Sequence, residues 1–149
     1  MPTATRTLPR SKSDVRRAAA AVCVRRRRGR VQVLLVSTRA GRVTLPKGRV
    51  EAHEDPAAAA LREAREEAGV HGAVQAHVGS WRHGDARQHV DAFVVAVRRR
   101  GRPVPSERWR TVAWVDLEHA ADRLARRCAT RRDRDAVRRA LTAAASRLG

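Results

Sequence analysis

The stretch of sequence that decides the fold is GRVEAHEDPAAAALREAREEAGV, residues 48–70. Its second half predicts a helix, because Asp55 can cap the first turn and Pro56 suits the first helical position. Gly69 is expected to end the helix, since glycine readily takes the left-handed conformation of a C-cap. The apolar side chains between these ends recur at helical spacing, and their small size predicts close packing against a sheet. They are Ala57, Ala60, Leu61, Ala64 and Ala68.

Strand-like segments precede this helix. Residues 17–24 (RAAAAVCV) and 31–37 (VQVLLVS) are apolar, and the charged run between them, residues 25–30 (RRRRGR), predicts a hairpin. A solvated hairpin tip explains the arginine run more simply than a nucleic-acid site does. Residues 45–48 (LPKG) break the strand pattern and are expected to form the loop that leads into the helix.

Three further strands and two further helices are predicted after this helix. The strands cover residues 74–81, 90–97 and 110–115, and the helices cover residues 118–127 and 131–148. No internal repeat interrupts the series. A strand pair, a helix, more strands and then two helices predict an α/β sandwich with a mixed sheet.

Length and charge describe one basic domain. The chain has 149 residues, and residues 1–14 are rich in Pro, Ser, Thr and Arg, so we expect a flexible basic tail followed by a single domain at residues 15–149. The formal net charge is +18, from 33 Lys and Arg against 15 Asp and Glu. Such a charge favours anionic partners, but a genome-wide bias toward arginine explains it equally well. The charge alone therefore assigns no partner.

Cysteine usage and hydropathy indicate the compartment. Cys23 and Cys128 show no metal or redox spacing and are expected to be buried thiols, which fits a reducing cytoplasm. Residues 1–14 lack the apolar segment of a signal peptide. No apolar run approaches the roughly 20 residues that a membrane span needs. We therefore expect a cytoplasmic protein without a membrane anchor.

Three glutamates of the predicted helix, Glu63, Glu66 and Glu67, form a candidate metal site. At about 100° per residue they point within roughly 100° of one another, and carboxylates so placed repel each other unless a cation lies among them. Hard divalent ions such as Mg²⁺ bind carboxylate oxygens and keep positions for water and phosphate. The alternative explanation is a solvated acidic face, with Arg62 and Arg65 as helical ion-pair partners.

The spacing around these glutamates resembles the Nudix signature, GX5EX7REUXEEXGU, in which U is a bulky aliphatic residue. All fixed residues of the signature are present, although Ala64 is small for the first U position. They are Gly48, Glu54, Arg62, Glu63, Glu66, Glu67 and Gly69, with Val70 at the last U position. The resemblance implies a Nudix-type α/β/α sandwich with a mixed β-sheet and a loop–helix–loop catalytic motif.

The similarity extends beyond the signature, over roughly residues 16–141. Within the family the chain is most similar to the diphosphoinositol polyphosphate and diadenosine polyphosphate hydrolases. Three segments carry this similarity: LPKG (residues 45–48), GSWRHGDARQH (79–89) and ERWRTVAWVDLEHA (107–120).

The resemblance implies a role for each residue of the signature. Glu63, Glu66 and Glu67, together with the carbonyl of Gly48, would hold Mg²⁺ or Mn²⁺. The catalytic pair would be Glu66, as the base that takes a proton from water, and Glu63, although family members differ in which glutamate is the base. Arg62 would orient the glutamates. Because bound metal ions neutralise phosphate oxygens and make water easier to ionise, the set implies hydrolysis of a phosphoanhydride bond.

Basic side chains near the signature are the candidates for binding the phosphates of the substrate. Lys47 is the first choice, because it directly precedes Gly48. Each single arginine is equally compatible with a solvated surface residue, so the prediction rests on the group. Its other members are Arg17, Arg39, Arg42, Arg49, Arg87 and His89, with Arg82 and His83 on the same connection as the last two.

Other residue types extend or limit this site. A fourth carboxylate often joins the metals in this family, and Asp85 and Asp91 are the candidates here. His53, His83 and His89 lack the spacing of a metal site and are not expected to be ligands.

Aromatic side chains are scarce, with three Trp, one Phe and no Tyr. Phe93 and Trp114 are expected in the core, whereas Trp81 or Trp109 is a candidate to stack on a base. This scarcity favours a substrate gripped by its phosphates, such as an inositol pyrophosphate or a long dinucleoside polyphosphate.

The sequence thus predicts an Mg²⁺- or Mn²⁺-dependent hydrolase of a nucleoside-diphosphate-linked or polyphosphate substrate, with diphosphoinositol and diadenosine polyphosphates preferred. Two alternatives are a hydrolase of nucleoside triphosphates or capped RNA ends, and a Nudix-fold regulator that binds a ligand without turnover. Such regulators usually lose signature glutamates, and this chain keeps all of them. The expected partner is an anionic small molecule; nucleic acid is possible but not favoured, no membrane is expected, and the oligomeric state is open.

Overall fold

The computed structural model describes residues 15–84 and 87–148, so the predicted tail at residues 1–14 and the candidate ligand Asp85 lie outside it. Within these ranges the chain forms three α-helices and two four-stranded sheets. The strands are β1 (Arg16–Val22), β2 (Val24–Arg27), β3 (Arg30–Ser37), β4 (Val43–Thr44), β5 (Lys47–Arg49), β6 (Val70–His83), β7 (Gln88–Arg100) and β8 (Val112–Asp116). The helices are α1 (Pro56–Ala68), α2 (Leu117–Ala125) and α3 (Arg131–Ser146).

The first sheet carries Gly48 and has the strand order β5-β1-β7-β6. Strand β1 runs parallel to β7 and antiparallel to β5, and β6 pairs antiparallel with β7. One cross-strand row joins Gly48 of β5, Ala19 of β1 and Asp91 of β7. The mixed sheet predicted from the sequence is therefore confirmed.

The second sheet corrects the predicted hairpin. Its strand order is β2-β3-β4, with β8 also paired to β3. The chain leaves the first sheet at Cys23, so residues 17–24 are not one strand, and Val24–Arg27 pairs with β3. Three arginines predicted in the turn belong to β2, and the turn itself is formed by Arg28 and Gly29, both at positive φ. The apolar run continues through Cys23 because β2 follows β1 directly and begins with another apolar residue, Val24.

Helix α1 has the bounds that the sequence predicts. Asp55 accepts a hydrogen bond from the backbone N–H of Ala57 at 2.8 Å, and Gly69 ends the helix at φ 67°. A Cβ at Gly69 would also overlap the backbone of Gly101, so both conformation and close approach require glycine. The buried face of the helix includes Ala59, Ala60, Ala64 and Ala68.

The core lies on both sides of the strands. On one side α2 and α3 bury Leu124, Val137 and Leu141 against β1, β3 and β7. On the other side α1 packs on a second cluster that includes Leu34 and Val95. The strands are thus enclosed between α1 and the two C-terminal helices, which confirms the predicted α/β/α sandwich.

The aromatic side chains differ in their exposure to solvent. Trp81 is only 5% exposed and belongs to the core, so the prediction that it could stack on a base is wrong for this residue. Trp114 and Phe93 pack against core clusters, as predicted. Trp109 is 37% exposed and is therefore accessible from solvent.

Two further predictions concern strand length and burial. Strands β6 and β7 extend beyond the predicted segments, because their antiparallel ladder continues into polar residues and absorbs three register shifts. Lys47–Arg49 is a short strand where a loop was predicted. Cys23 and Cys128 are buried free thiols, as predicted. No helix in the described ranges is long and apolar enough to cross a membrane.

Candidate active site

Gly48 lies directly against the carboxylate of Glu63. A Cβ built on Gly48 would overlap both carboxylate oxygens of Glu63. Its neighbour in the sheet, Ala19, packs against Ala59 and Ala60 of α1, so small side chains bring the helix onto the sheet. Gly48 is therefore required because a carboxylate approaches the backbone at this point.

Arg62 holds three glutamates together. Its Nε and Nη2 donate to the two oxygens of Glu54 at 2.8 and 3.0 Å. Its Nη1 donates to Glu63 Oε1 at 2.9 Å and to Glu66 Oε2 at 3.3 Å. Hydrogen bonding from Arg62 lowers the pKa of Glu54 to about 2. This arrangement is what an orienting arginine requires, because a bidentate fork fixes both partners in the plane of the guanidinium.

Glu67 is the most deeply buried of the four signature glutamates, with 6% of its side chain exposed. Its Oε1 accepts a hydrogen bond from the backbone N–H of Lys47 at 2.8 Å. Its Oε2 forms an ion pair with Nη2 of Arg110 at 2.6 Å. Burial raises the pKa of Glu67 to about 7, although Arg110 opposes the increase. A carboxylate desolvated in this way gains stability from any cation placed beside it.

Arg110 is the site residue that sequence analysis missed. Besides Glu67, it donates to Glu107 Oε2 at 2.8 Å and to the carbonyl oxygen of Ser37 at 2.6 Å. Its guanidinium lies 4.4 Å from the ring centroid of Trp109. The only sequence signal was its place in the ERWRTVAWVDLEHA segment, and nothing local connects that segment with α1.

The donor set of this site fits a hard divalent cation, because glutamate carboxylates are the oxygen ligands that Mg²⁺ and Mn²⁺ prefer. Burial raises the pKa of Glu63 as well, so a cation would offset an existing desolvation cost. Within residues 15–84 and 87–148, however, no three carboxylate, imidazole or thiolate groups lie close enough together to hold a metal ion. Arg62 and Arg110 pair with the carboxylates instead, so a bound cation has to replace part of these arginine contacts.

Lys47 reaches the other face of the first sheet from Gly48. Its Nζ donates to Oε1 of Gln88 at 2.7 Å, and burial lowers its pKa. A cavity of about 290 Å³ opens beside it. Three predicted substrate-binding residues, Lys47, Arg39 and Arg42, line this cavity. The remaining lining residues are Thr38, Ala40, Val43, Thr44, His83 and Arg127, and none of the lining residues in the described part of the chain is acidic.

Arg17 and His89 do not join this cavity. Side chains alternate along a strand, so Arg17 shares a face with Ala19, whereas Lys47 lies opposite Ala20 and faces the other way. Both residues contact Asp91 instead, each with a nitrogen 3.7 Å from a carboxylate oxygen. The predicted substrate-binding group is thereby divided between two faces of the sheet.

Asp91, a candidate fourth carboxylate, is engaged elsewhere. It accepts a hydrogen bond from Ser80 Oγ at 2.6 Å and lies 3.2 Å from Nε2 of His77. Strand β1 separates it from Gly48, which puts it about two strand spacings, or roughly 10 Å, from that backbone. The structure therefore brings Asp91 together with histidines and not with the signature glutamates.

The other basic candidates lie on the surface. The side chains of Arg49, Arg82 and Arg87 are exposed. The carbonyl of Arg49 accepts a hydrogen bond from Arg62 at 3.0 Å, so its backbone helps to hold the glutamate cluster. His83 lines the cavity beside Lys47, where burial and the Lys47 charge lower its pKa to about 4.

Comparison with known proteins gives a consistent result. A family model described as NUDIX domain matches residues 15–139. The chain is similar to Nudix hydrolase 4 of Arabidopsis thaliana, with 37% identity over 97 residues that cover 62% of this chain and 47% of the relative. It is also similar to Nudix hydrolase 21, chloroplastic, of the same plant, with 34% identity over 100 residues that cover 63% and 50%. The chain thus spans about half the length of the curated relatives it matches.

Solved structures share the fold. A C. elegans Ap4A hydrolase in a binary complex matches with a TM-score of 0.62 and 21% identity, covering 89% of this chain and 99% of that one. A Nudix hydrolase from M. smegmatis, RenU, matches with a TM-score of 0.63 and 21% identity, covering 88% and 87%.

Proposed function

This chain belongs to the Nudix family, and from that membership we propose that it is a phosphohydrolase that uses Mg²⁺ or Mn²⁺ to cleave a phosphoanhydride bond. One observation carries the proposal. Glu67, on the edge of α1, accepts a hydrogen bond from the backbone of Lys47, which lines a cavity together with Arg39, Arg42 and Arg127. Lys47 therefore connects the glutamates that would bind a metal with the basic cavity that would bind phosphate.

The signature residues divide the work in this proposal. Glu63, Glu66, Glu67 and the carbonyl of Gly48 would hold the metal, which neutralises phosphate oxygens and makes water easier to ionise. Arg62 orients the glutamates through the hydrogen bonds described above.

Glu66 is the preferred general base, with Glu63 as the second catalytic candidate. The side chain of Glu66 is 31% exposed, against 12% for Glu63 and 6% for Glu67. A base that takes a proton from water has to reach that water, so the most exposed carboxylate suits the role best. Only one oxygen of Glu66, Oε2, accepts a hydrogen bond from Arg62, which leaves Oε1 for the proton.

The substrate we propose is a polyphosphate, with diadenosine and diphosphoinositol polyphosphates preferred. The cavity beside Lys47 carries Arg39, Arg42 and Arg127, and such side chains bind phosphate oxygens. The C. elegans structural neighbour is an Ap4A hydrolase, which makes diadenosine tetraphosphate the first substrate to test.

The setting we propose is one domain at residues 15–149 in a reducing, cytoplasmic environment. The two cysteines are buried free thiols, and such thiols persist where disulfides do not form.

A substrate panel tests the proposal. Diadenosine tetraphosphate, diphosphoinositol pentakisphosphate, ATP, ADP-ribose and capped RNA are each incubated with Mg²⁺, Mn²⁺ or EDTA, and products are separated by anion exchange. We expect metal-dependent release of phosphate-bearing products, and we expect Glu66→Gln to lower kcat by about 100-fold or more. Glu118→Gln, which changes an exposed acid on α2, is the matched control. No turnover with any substrate, or equal rates for the two variants, contradicts the proposal.

A further inference from the structure

A second cavity adjoins the one beside Lys47. It has a volume of about 280 Å³ and is lined by Gly41, Arg42, Val43, Arg123, Arg126 and Arg127. Arg42, Val43 and Arg127 line both cavities. Because they share these residues, the two cavities are adjacent, and together they are here called the arginine groove, which runs from Lys47 to the C-terminal end of α2.

The backbone on both sides of the arginine groove is held in place. In the turn between β3 and β4, the N–H of Thr38 donates to the carbonyl of Arg42 at 2.7 Å, and the N–H of Arg42 donates to Thr38 Oγ1 at 3.2 Å. On the other side, the carbonyl of Arg127 accepts from the N–H of Gly84 at 3.1 Å. The arginine side chains thus extend from positioned backbone.

The groove gathers positive charge from basic side chains. Five arginines and Lys47 line it, and none of its lining residues within 15–84 and 87–148 is acidic. Among the residues that the structure describes, no ion pair involves these five arginines: Arg39, Arg42, Arg123, Arg126 and Arg127. The acid nearest to them in sequence, Asp122, pairs instead with Arg138 at 2.9 Å.

A basic groove beside a phosphohydrolase site favours the binding of anions. Like charges at close range repel, and an anion between them relieves the repulsion. None of the described residues that line the groove is Trp or Phe, and Trp109, beside the groove, stacks against the guanidiniums of Arg39 and Arg110 at 4.0 and 4.4 Å from its ring centroid. The basic lining of the groove therefore suits phosphate groups.

We infer that the arginine groove binds phosphate groups of the substrate that lie beyond the anhydride being cleaved, with Arg123, Arg126 and Arg127 forming the outer subsite. The inference rests on the proposed function and narrows it. Substrates with several phosphates in a row or around a ring fill the groove, whereas a nucleoside diphosphate sugar leaves its outer half empty. None of the three outer arginines was a candidate from the sequence.

A pair of double variants tests the groove. Arg123→Gln/Arg126→Gln removes two charges from the outer subsite, and Arg99→Gln/Arg139→Gln removes two exposed charges elsewhere. The first measurement is binding of inorganic tripolyphosphate by calorimetry in EDTA, which requires no turnover. Exposed charge contacts are individually weak, so we expect about tenfold weaker binding for the groove variant and less than about twofold for the control. Equal losses, or no binding to the wild-type protein, overturn the inference.

Steady-state kinetics then identify which class of substrate uses the groove. For the groove variant we expect a KM increase of about tenfold with diadenosine tetraphosphate or diphosphoinositol pentakisphosphate, unchanged kcat, and an unchanged KM for ADP-ribose. Whichever of these two substrates shows the larger increase in KM is the one whose phosphates fit the groove better. An equal KM increase for ADP-ribose overturns the inference.

The two proposals can fail separately. If the wild-type protein binds tripolyphosphate through the groove but turns over no substrate, the groove stands and the hydrolase proposal fails. If turnover is normal and the two double variants behave alike, the hydrolase proposal stands and the groove fails.

Discussion

Replacing Arg62 with methionine tests whether this arginine holds the glutamate cluster together. Methionine keeps an unbranched apolar chain but removes the charge and every donor of the guanidinium. Glu54, Glu63 and Glu66 then lose their ion-pair partner. In the described ranges, Arg62 is the one basic side chain that pairs with any of the three. The carboxylates remain close together on and beside α1, with their mutual repulsion uncompensated.

The exposed fractions of the side chains set the size of the effect. Arg62 is 20% exposed, Glu54 17% and Glu63 12%. Removing one partner of a fully buried ion pair costs about 3–5 kcal/mol, whereas a solvent-exposed pair contributes about 0–1 kcal/mol. The cluster lies at the edge of the molecule, where water still screens the charges. We therefore expect the free energy of unfolding to fall by about 2 kcal/mol in metal-free buffer.

Mg²⁺ should recover part of this loss. A divalent cation replaces the missing positive charge, and a ligand that binds only the folded state stabilises it by RT ln(1 + L/Kd), where L is the concentration of free ligand. Urea unfolding in EDTA and in Mg²⁺ measures both effects. Arg65→Met is the matched control, because Arg65 is exposed on the same helix, and we expect it to change the unfolding free energy by less than about 0.5 kcal/mol.

The difference in unfolding free energy between the wild-type protein and Arg62→Met depends on pH because of Glu54. Its pKa is about 2 in the folded protein, below the ordinary value of 4.5, because Arg62 donates hydrogen bonds to it. The stabilisation is therefore fully present above pH 4.5 and is lost as the pH falls toward 2. Equal unfolding free energies for Arg62→Met and Arg65→Met in EDTA at pH 7 would refute the reasoning.

Three further predictions follow from the same site and core. Gly48→Ala pushes a methyl group into the Glu63 carboxylate, so Mn²⁺ binding measured by calorimetry should weaken about tenfold or more, and unchanged affinity contradicts the close approach. Arg110→Met frees one oxygen of Glu67, so the protein should bind Mn²⁺ several-fold more tightly but lose about 2–3 kcal/mol of stability in EDTA; weaker Mn²⁺ binding argues against competition between arginine and metal. Burial raises the pKa of Cys23 to about 12, so a colorimetric disulfide reagent should label this thiol at pH 8 only after unfolding, and rapid labelling of the native protein contradicts the burial.

Local patterns predicted the helix and its chemistry well. The bounds of α1 follow from Asp55 and Gly69, which cap the backbone within one turn of each end. The three glutamates share one edge because helical geometry acts over three or four residues. Such features depend on near neighbours in the chain, so the sequence contains them in full.

The strand assignments show where local patterns fail. Residues 18–24 are continuously apolar, yet Cys23 is the point at which the chain passes from one sheet to the other. The first residue of β2, Val24, is as apolar as the end of β1, so hydropathy does not change at the boundary. Which strand pairs with which is decided by contacts between distant parts of the chain, and a periodicity within one segment carries no information about them.

The sequence by itself determined the fold class, the capped helix and the position of the signature glutamates on it, because each depends on short-range geometry and residue type. Only the tertiary structure decided which of the many arginines meet those glutamates and which line the groove. Arg110 reaches Glu67 from the turn before β8, and Arg42 lines the same cavities as Arg127, which is distant from it in the sequence. In a sequence this rich in arginine every guanidinium has the same charge, so the path of the chain alone distinguishes a site residue from a solvated one.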